Sequence, residues 1–352
     1  MRVAVKPKIK YAGRVALVWA LGGLALAGAE TPGPASSPSS PAAASVRGKH
    51  TERSVSEWLV RMHEASRLRS YVGTFVVLSN SGSMSSARIW HACEGDLQVE
   101  RVESLTGAPR SVFRRNDEVV TFLPQSRVVR AEKQAPAGLF PSLLNASESS
   151  IAQFYEARAV GSDRVAGFEA DVVQLVPKDR LRFGYRIWSE KKSGLVIKLQ
   201  TLNQQGTVLE QVAFSELQLD APVRAAKLNQ MMSATEGWRV EKADTVKTSP
   251  QAEGWHLKSG VAGFQPVNCY KRPGASASPP EGTMQWVFSD GLAAVSLFLE
   301  PYDRQRHDQE GLSASGATQT LTRRIDDWWL TAVGEVPQQT LSAFAQNLER
   351  AK

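Results

Sequence analysis

Two residues able to bind a metal, His91 and Cys93, stand two positions apart in a segment that alternates like a strand. Such neighbours share a face, so an imidazole and a thiolate there can reach one ion. The other histidines (His50, His63, His256 and His307) are scattered, and no H-x-x-x-H or C-x-x-C spacing completes a coordination shell. A strand pair with one enclosed sulfur is the plainer reading. Ser189-Glu190-Lys191-Lys192 has the S-x-x-K form of an acyl-transfer nucleophile, but it falls in a predicted hairpin turn, where that motif needs the start of a helix. Asp326 and Asp327 are adjacent, and adjacent strand residues face opposite sides, which disfavours a shared proton. The chain has no G-x-S-x-G elbow and no Gly-rich phosphate loop. It reads as a binding protein with no catalytic residue, metal or cofactor, not as an enzyme.

Two other groups of residues suit binding. Trp58, Tyr71, Phe75, Trp90, Phe113, Phe122, Phe140, Tyr155, Tyr185 and Trp188 fall on predicted sheet or helix faces of one long segment. They either fill a core or line a cavity for acyl chains in a strongly curved sheet, with Trp58, Phe75, Trp90 and Phe122 as the candidates. An arginine series, Arg101, Arg110, Arg114, Arg115, Arg127 and Arg130, accompanies them. Arg101, Arg114, Arg115 and Arg130 are candidates for bidentate bonds to phosphate or carboxylate headgroups. The competing reading is a charged outer face that discourages aggregation. The two cysteines, Cys93 and Cys269, either bridge two domains in an oxidising compartment or stay as packed thiols, and spacing alone leaves both open.

The elements that must position these residues are mostly strands. Ser54 and Glu57 form an S-x-x-E capping box, and Val55, Trp58, Leu59, Met62 and Ala65 follow at helical spacing, which predicts a helix over 54–68. From Tyr71 the period becomes two, a turn comes at Ser81-Gly82, and 87–93 reads as the return strand of a hairpin. Further strands are expected at 97–102, 118–123, 127–131, 169–176, 183–189, 195–201 and 208–219, with a short helical piece at 151–157. Close-spaced strands with tight turns imply an antiparallel meander and not a βαβ fold. Helical residues follow at 221–232. A second unit then has strands at 284–288, 293–299, 318–324 and 328–333, and a final helix after Pro337. Clusters at 273–282 and 304–316 are expected loops.

The chain begins with Arg2, Lys6, Lys8, Lys10 and Arg14, then an apolar run over 15–29 ending Ala27-Gly28-Ala29. That pattern predicts a cleaved signal peptide and an exported, periplasmic protein. Of the formal charge of +7, five charges sit in this leader with no acid before Glu30, leaving +2 for the rest. A near-neutral exported protein has no phosphate-neutralising stripe, so no nucleic acid is expected as a partner. The Pro/Ser/Ala stretch 30–50 reads as a disordered linker.

Several stretches together resemble the MucB/RseB family. Trp58-Leu59-x-x-Met62 and Tyr71-x-Gly73-Thr74-Phe75-Val76 resemble its opening. Asn116-Asp117-Glu118-Val119-Val120-Thr121-Phe122 and Arg182-Phe183-Gly184-Tyr185-Arg186-Ile187-Trp188 resemble later stretches. So do Leu195, Lys198, Leu199 and Val208-Leu209-Glu210-Gln211. Phe288-Ser289-Asp290-Gly291-Leu292-Ala293-Ala294-Val295-Ser296-Leu297-Phe298 is similar to its C-terminal signature, with Gly316-Ala317-Thr318 and Val333-Gly334-Glu335-Val336-Pro337 beyond it. The resemblance covers nearly all of the chain after the leader.

The resemblance implies a periplasmic negative regulator of the sigma-E envelope-stress pathway. Such a protein binds the periplasmic region of a membrane-spanning anti-sigma factor of the RseA or MucA type and shields it from the site-1 protease. Its N-terminal domain is implied to be a LolA/LolB-like half-open antiparallel barrel with a helical lid, sensing lipopolysaccharide or lipoprotein acyl chains. The smaller β-rich C-terminal domain is implied to supply much of the anti-sigma contact. On that basis Ser289, Asp290, Gly291, Leu292 and Ser296 are partner-binding candidates, with packing as their competing role. The expected fold class is α+β, mainly antiparallel β, and self-association is a further expectation. The expected segments are the signal peptide (1–29), the linker (30–50), a lipid-sensing domain (51–220), an interdomain linker (221–236) and the C-terminal domain (237–352). The alternative function is a periplasmic lipoprotein or glycolipid carrier.

Overall fold

The computed structural model describes residues 53–351 apart from 96, 117, 134–139, 141–150, 243–244, 273–281 and 308. The expected signal peptide, the 30–50 linker and most of the 273–282 loop lie outside the described residues.

Helix α1 (Val55–Leu68) begins where the capping box places it. The Glu57 amide donates to Ser54 Oγ at 3.2 Å and the Ser54 amide donates to Glu57 Oε2 at 2.7 Å, satisfying two of the helix's orphan donors. Next come β1 (Tyr71–Ser79), β2 (Met84–Glu94), β3 (Leu97–Ser104), β4 (Ser111–Arg115), β5 (Glu118–Leu123) and β6 (Val128–Lys133). A single helical turn, α2 (Ile151–Phe154), leads into β7 (Tyr155–Val165), β8 (Phe168–Pro177), β9 (Gly184–Glu190), β10 (Val196–Leu202) and β11 (Val208–Leu219). Strand β11 returns to pair with β1, fusing the two meanders into one sheet.

Helix α3 (Ala225–Ser233) and β12 (Arg239–Lys242) complete this unit. The sheet order is β12-β6-β5-β4-β3-β2-β1-β11-β10-β9-β8-β7, antiparallel throughout except that β12 runs parallel to β6. β7 and β12 are its two edges, so the sheet stays open. Val55, Trp58, Leu59, Met62 and Ala65 of α1, together with Ile151 of α2, pack onto one face of it with Phe75, Ile89, Ile187, Ile197 and Phe214. This is the half-open, helix-lidded antiparallel arrangement that the family resemblance implies.

The opposite face is covered as well. Ala225 and Leu228 of α3 lie on Ala92 and Val99, while Met232 and Trp238 lie on Phe113 and Phe122. The segment expected to be an interdomain linker is therefore packed along the outer face of the first sheet, and β12 extends that sheet.

The second unit contains β13 (Val246–Lys247), β14 (Trp255–Leu257), β15 (Gln265–Arg272), β16 (Thr283–Ser289), β17 (Ala294–Pro301), β18 (Gly311–Ser315), β19 (Thr318–Ile325) and β20 (Trp328–Gly334). Helix α4 (Gln338–Asn347) and β21 (Leu348–Arg350) end it. Seven strands form an antiparallel sheet in the order β13-β15-β16-β17-β20-β19-β18, and β14 pairs with β21. α4 buries Leu341, Phe344 and Ala345 on this sheet, with the Phe344 ring 4.8 Å from that of Phe288.

Several strands depart from expectation, the short β12, β13, β14 and β21 among them. β4, β7, β15 and β18 are absent from the alternation reading, and the helix expected at 151–157 unwinds into β7 after one turn. β7 is an edge strand, exposed along most of its length and bulged between Ala159 and Gly161, so it carries no buried alternate row to detect.

Candidate functional site

Register decides which candidate residues meet. Residues directly opposite across a strand pair share a face, and residues two apart along a strand do too. Phe75 opposes Ala87, which puts Ile89 and His91 on the same inner face and Trp90 on the other. Trp90 opposes Arg101, Arg101 opposes Phe113, and Phe122 and Arg115 follow on that outer face. Arg114 and Arg130 alternate back to the inner face, with Trp58 above it on α1. The eight lipid-contact candidates thus divide, four to each side of the sheet, and do not line one cavity. The same alternation, applied across strand pairs, was available in the sequence once the pairing was known.

The inner face is aromatic at its centre. Phe75 lies 5.7 Å from Phe140 and 6.1 Å from Phe214, with Phe140 and Phe214 at 5.0 Å. Trp58 is buried under the Arg53 guanidinium, 4.8 Å from its ring. Beside this cluster Tyr71, His91, Glu100 and Arg114 form one cross-strand row. The Tyr71 and His91 rings stack at 4.8 Å, and burial pushes the Tyr71 hydroxyl well above its ordinary pKa. Burial also pushes the Glu100 carboxyl up, but the His91 ring and the Arg114 guanidinium outweigh it and hold the group below the usual value.

On the outer face the arginines serve as lids over aromatic rings. Arg101 lies 4.7 Å from Trp90 and 5.6 Å from Phe113, and pairs with Glu103 at 2.9 Å. Arg115 pairs with Glu118. Phe122 sits edge-on to Phe113 at 5.5 Å and to Trp238 at 5.2 Å. On the inner face, Arg130 holds Glu241 of β12 at 2.9 Å, pinning the added edge strand.

The other group of candidates converges on the joint between the two units. In the β16–β17 turn, Ser289 Oγ accepts from the Gly291 amide and donates to the Ala293 carbonyl. Asp290 Oδ1 accepts from the Leu292 and Ala293 amides. Its Oδ2 accepts from Arg182 Nε at 2.7 Å and from the Tyr155 hydroxyl at 3.5 Å. Arg182 comes from the loop between β8 and β9, so this ion pair spans the two units with neither side chain exposed. Its guanidinium also bonds Asp179 and the Ala262 carbonyl, and lies between the Phe154 and Phe264 rings at 4.1 and 4.9 Å. Burial pushes the Asp290 carboxyl up, against the lowering effect of the amides and Arg182.

The joint interlocks in both directions. Leu292 of the second unit packs against the first core, and Leu181 of the first packs against the second. Thr340 Oγ1 donates to the Leu181 carbonyl at 2.8 Å. Gly263 must be glycine here: its φ is +81°, and a Cβ would run into Arg182 Nη2 and the Phe154 ring. Ser296 lies inside the second sheet with an enclosed Oγ that has no partner among the described residues. Ser289, Asp290 and Gly291 are likewise buried, and only Leu292 is half-exposed. With the joint closed, Leu292 is the one of these candidates open to solvent. The sequence signal was the Gly/Asp/Ser turn itself; nothing in it identified Arg182 as the counter-ion.

Cys93 and Cys269 are both free thiols. Cys93 Sγ is 4.0 Å from Ser70 Oγ. Cys269 is buried, and burial with the nearby Glu253 carboxylate raises its thiol to about 11. His91 and Cys93 gain no further ligands: among the described residues no group of three His, Cys, Asp or Glu side chains is placed to hold a metal ion. Ser189 Oγ is committed to the Gly194 carbonyl in the β9–β10 turn.

Both units match one family. The MucB/RseB N-terminal domain corresponds to residues 54–232, and the MucB/RseB C-terminal domain to residues 249–349. The chain belongs to the MucB/RseB family. The sigma factor AlgU regulatory protein MucB of Pseudomonas aeruginosa is 33% identical over 300 residues, 83% of this chain and 90% of that protein. The sigma-E factor regulatory protein RseB of Escherichia coli K12 is 24% identical over 83% of this chain and 89% of its own length. The crystal structure of MucB in complex with MucA(peri) superposes with a TM-score of 0.63 at 29% identity, covering 85% of this chain and 99% of that one. The family boundary at residues 232 and 249 brackets β12.

Proposed function

We propose that this protein is a periplasmic negative regulator of an envelope-stress sigma factor. It binds the periplasmic region of a membrane-spanning anti-sigma factor of the MucA or RseA type and covers it against the site-1 protease. It acts by reversible binding and breaks no bonds. The observation that carries this reading is a family match that runs through both units in order, to relatives named as sigma factor regulators. A relative bound to MucA(peri) supports the choice of partner. The aromatic inner face, Phe75 with Phe140 and Phe214 under α1, supports lipid as the signal that tunes release.

For such a signal to matter, lipid and anti-sigma segment must be coupled by about 1–3 kcal/mol, and the coupling must act equally in both directions. The test is a digestion assay with the cognate anti-sigma segment, the site-1 protease and this protein. Protection is expected without lipid and loss of protection with added lipopolysaccharide. Cleavage at the same rate with and without the protein would exclude shielding, and protection indifferent to lipopolysaccharide would exclude lipid tuning.

A further inference from the structure

The joint holds more acid than base. Beyond the Arg182–Asp290 pair, the second unit touches the first at the β18–β19 turn, where Gly316 and Ala317 rest on Ser79 and Glu210. Gly316 has φ +60°, and a Cβ there would stand 2.5 Å from Glu210 Oε2 and 3.3 Å from Ser79 Cβ. Glu210 lies on β11 with Ser79 of β1 and Thr201 of β10 opposite it, and the Ala317 amide donates to its carboxyl. Glu335, in the turn between β20 and α4 of the second unit, is near enough for its charge to raise the Glu210 carboxyl, and both side chains are half-buried. Glu335 in turn stands near Tyr185 of β9, whose ring is 6.1 Å from Tyr155, the residue that reaches Asp290.

The charged and titratable groups around these two turns are therefore Asp179, Arg182, Tyr155, Tyr185 and Glu210 from the first unit, with Asp290 and Glu335 from the second; apart from them, Arg272 of β15 pairs with Glu132 of β6 at 3.0 Å across the units. Four are carboxyls and one is a guanidinium. Arg182 is already committed to Asp290 and Asp179. Among the described residues no cation forms an ion pair with Glu210 or Glu335. Two carboxylates brought together without a cation cannot both ionise cheaply, so closing the interface favours keeping a proton on the pair.

We propose that the joint between the two units is a proton-sensitive hinge, in which Glu210 and Glu335 dock the β18–β19 turn while the pair is protonated and repel each other across the interface once both ionise. Burial and then Glu335 push the Glu210 carboxyl up to about 7 from an ordinary 4.5, outweighing the Ala317 amide, and burial pushes Glu335 up as well. Undocked, Glu210 is an ordinary carboxylate and loses its proton in mild acid. Docked, it keeps that proton to about neutrality. Docking therefore takes up a proton in between. It is fully favoured in acid and weakens as pH rises through 7. For this one group the docking equilibrium falls about tenfold from pH 6 to pH 8.

The Ala317 amide is a local reporter, because its bond to Glu210 exists only when the joint is closed. The experiment is amide exchange of the full chain without its leader, from pH 5.5 to 8.5, expressed as protection factors corrected for intrinsic rates. Protection at Ala317 should fall about tenfold between pH 6 and pH 8, while Leu297 in the core strand β17 stays protected, which separates undocking from unfolding. The Glu210→Gln, Glu335→Gln double variant should stay protected across the range. Constant protection at Ala317 in the parent protein, or an unaltered fall in the double variant, overturns the proposal. Small-angle scattering at the same pH values gives a second readout: expansion above pH 7 in the parent protein only.

Discussion

Arg182→Met removes the buried one of two guanidinium groups that pair across the units, Arg272 with Glu132 being the other, while keeping an unbranched apolar stem between Phe154 and Phe264. The substitution deletes charge-assisted bonds to Asp290 and Asp179 and a bond to the Ala262 carbonyl. It also strands Asp290 in a site with no exposure to water. Removing one member of a buried ion pair costs about 3–5 kcal/mol, most of it from the charge left behind. Asp290 is already pushed up by burial, so the stranded carboxyl will take a proton and the cost will fall in acid. The expected loss is therefore about 3–5 kcal/mol near pH 8 and smaller near pH 5. It should appear as separation of the two units before either core melts, because each core has its own hydrophobic cluster. Differential scanning calorimetry at the two pH values reads this directly: one transition in the parent protein, two in the variant. A single transition displaced by less than about 1 kcal/mol at pH 8 would refute the reasoning that the ion pair holds the units together.

Gly263→Ala places a methyl against the same guanidinium at a left-handed backbone position, and should cost about 1–3 kcal/mol in the same calorimetric assay. Phe122→Ala opens the outer layer between Phe113 and Trp238, and should destabilise the first unit by about 3–5 kcal/mol in urea titration while leaving the second unit's transition in place. A thiol reagent at pH 8 should modify half-buried Cys93 in the native protein. Buried Cys269, with its thiol raised to about 11, should react only after denaturant is added. Equal reactivity of the two sulfurs in the folded protein would contradict the burial on which that rests.

Local signals carried much of the architecture. The Ser54/Glu57 box set the start of α1, and strict alternation at Tyr71–Ser79 set β1 and its buried row. Strands exposed on both sides were not readable. β18 is exposed at every position and β7 at most, so no hydrophobic period marks them, and pairing with β19 and β8 makes them strands. The candidate residues show the same division. Their types were legible, but pairing register puts Trp90, Phe122, Arg101 and Arg115 behind the sheet from Phe75. Arg182 stands out in the sequence only as the first residue of a stretch that resembles the family, because its counter-ion Asp290 lies 108 residues away. A contact over that separation leaves no local pattern.

The most direct measurement is calorimetric titration of residues 51–352 with the periplasmic segment of a MucA- or RseA-type anti-sigma factor at pH 7. Saturable one-to-one binding is expected, with a Kd of about 1 μM or tighter, roughly −8 kcal/mol. Absence of binding at about 100 μM of either component, with both shown to be folded or intact, would contradict it.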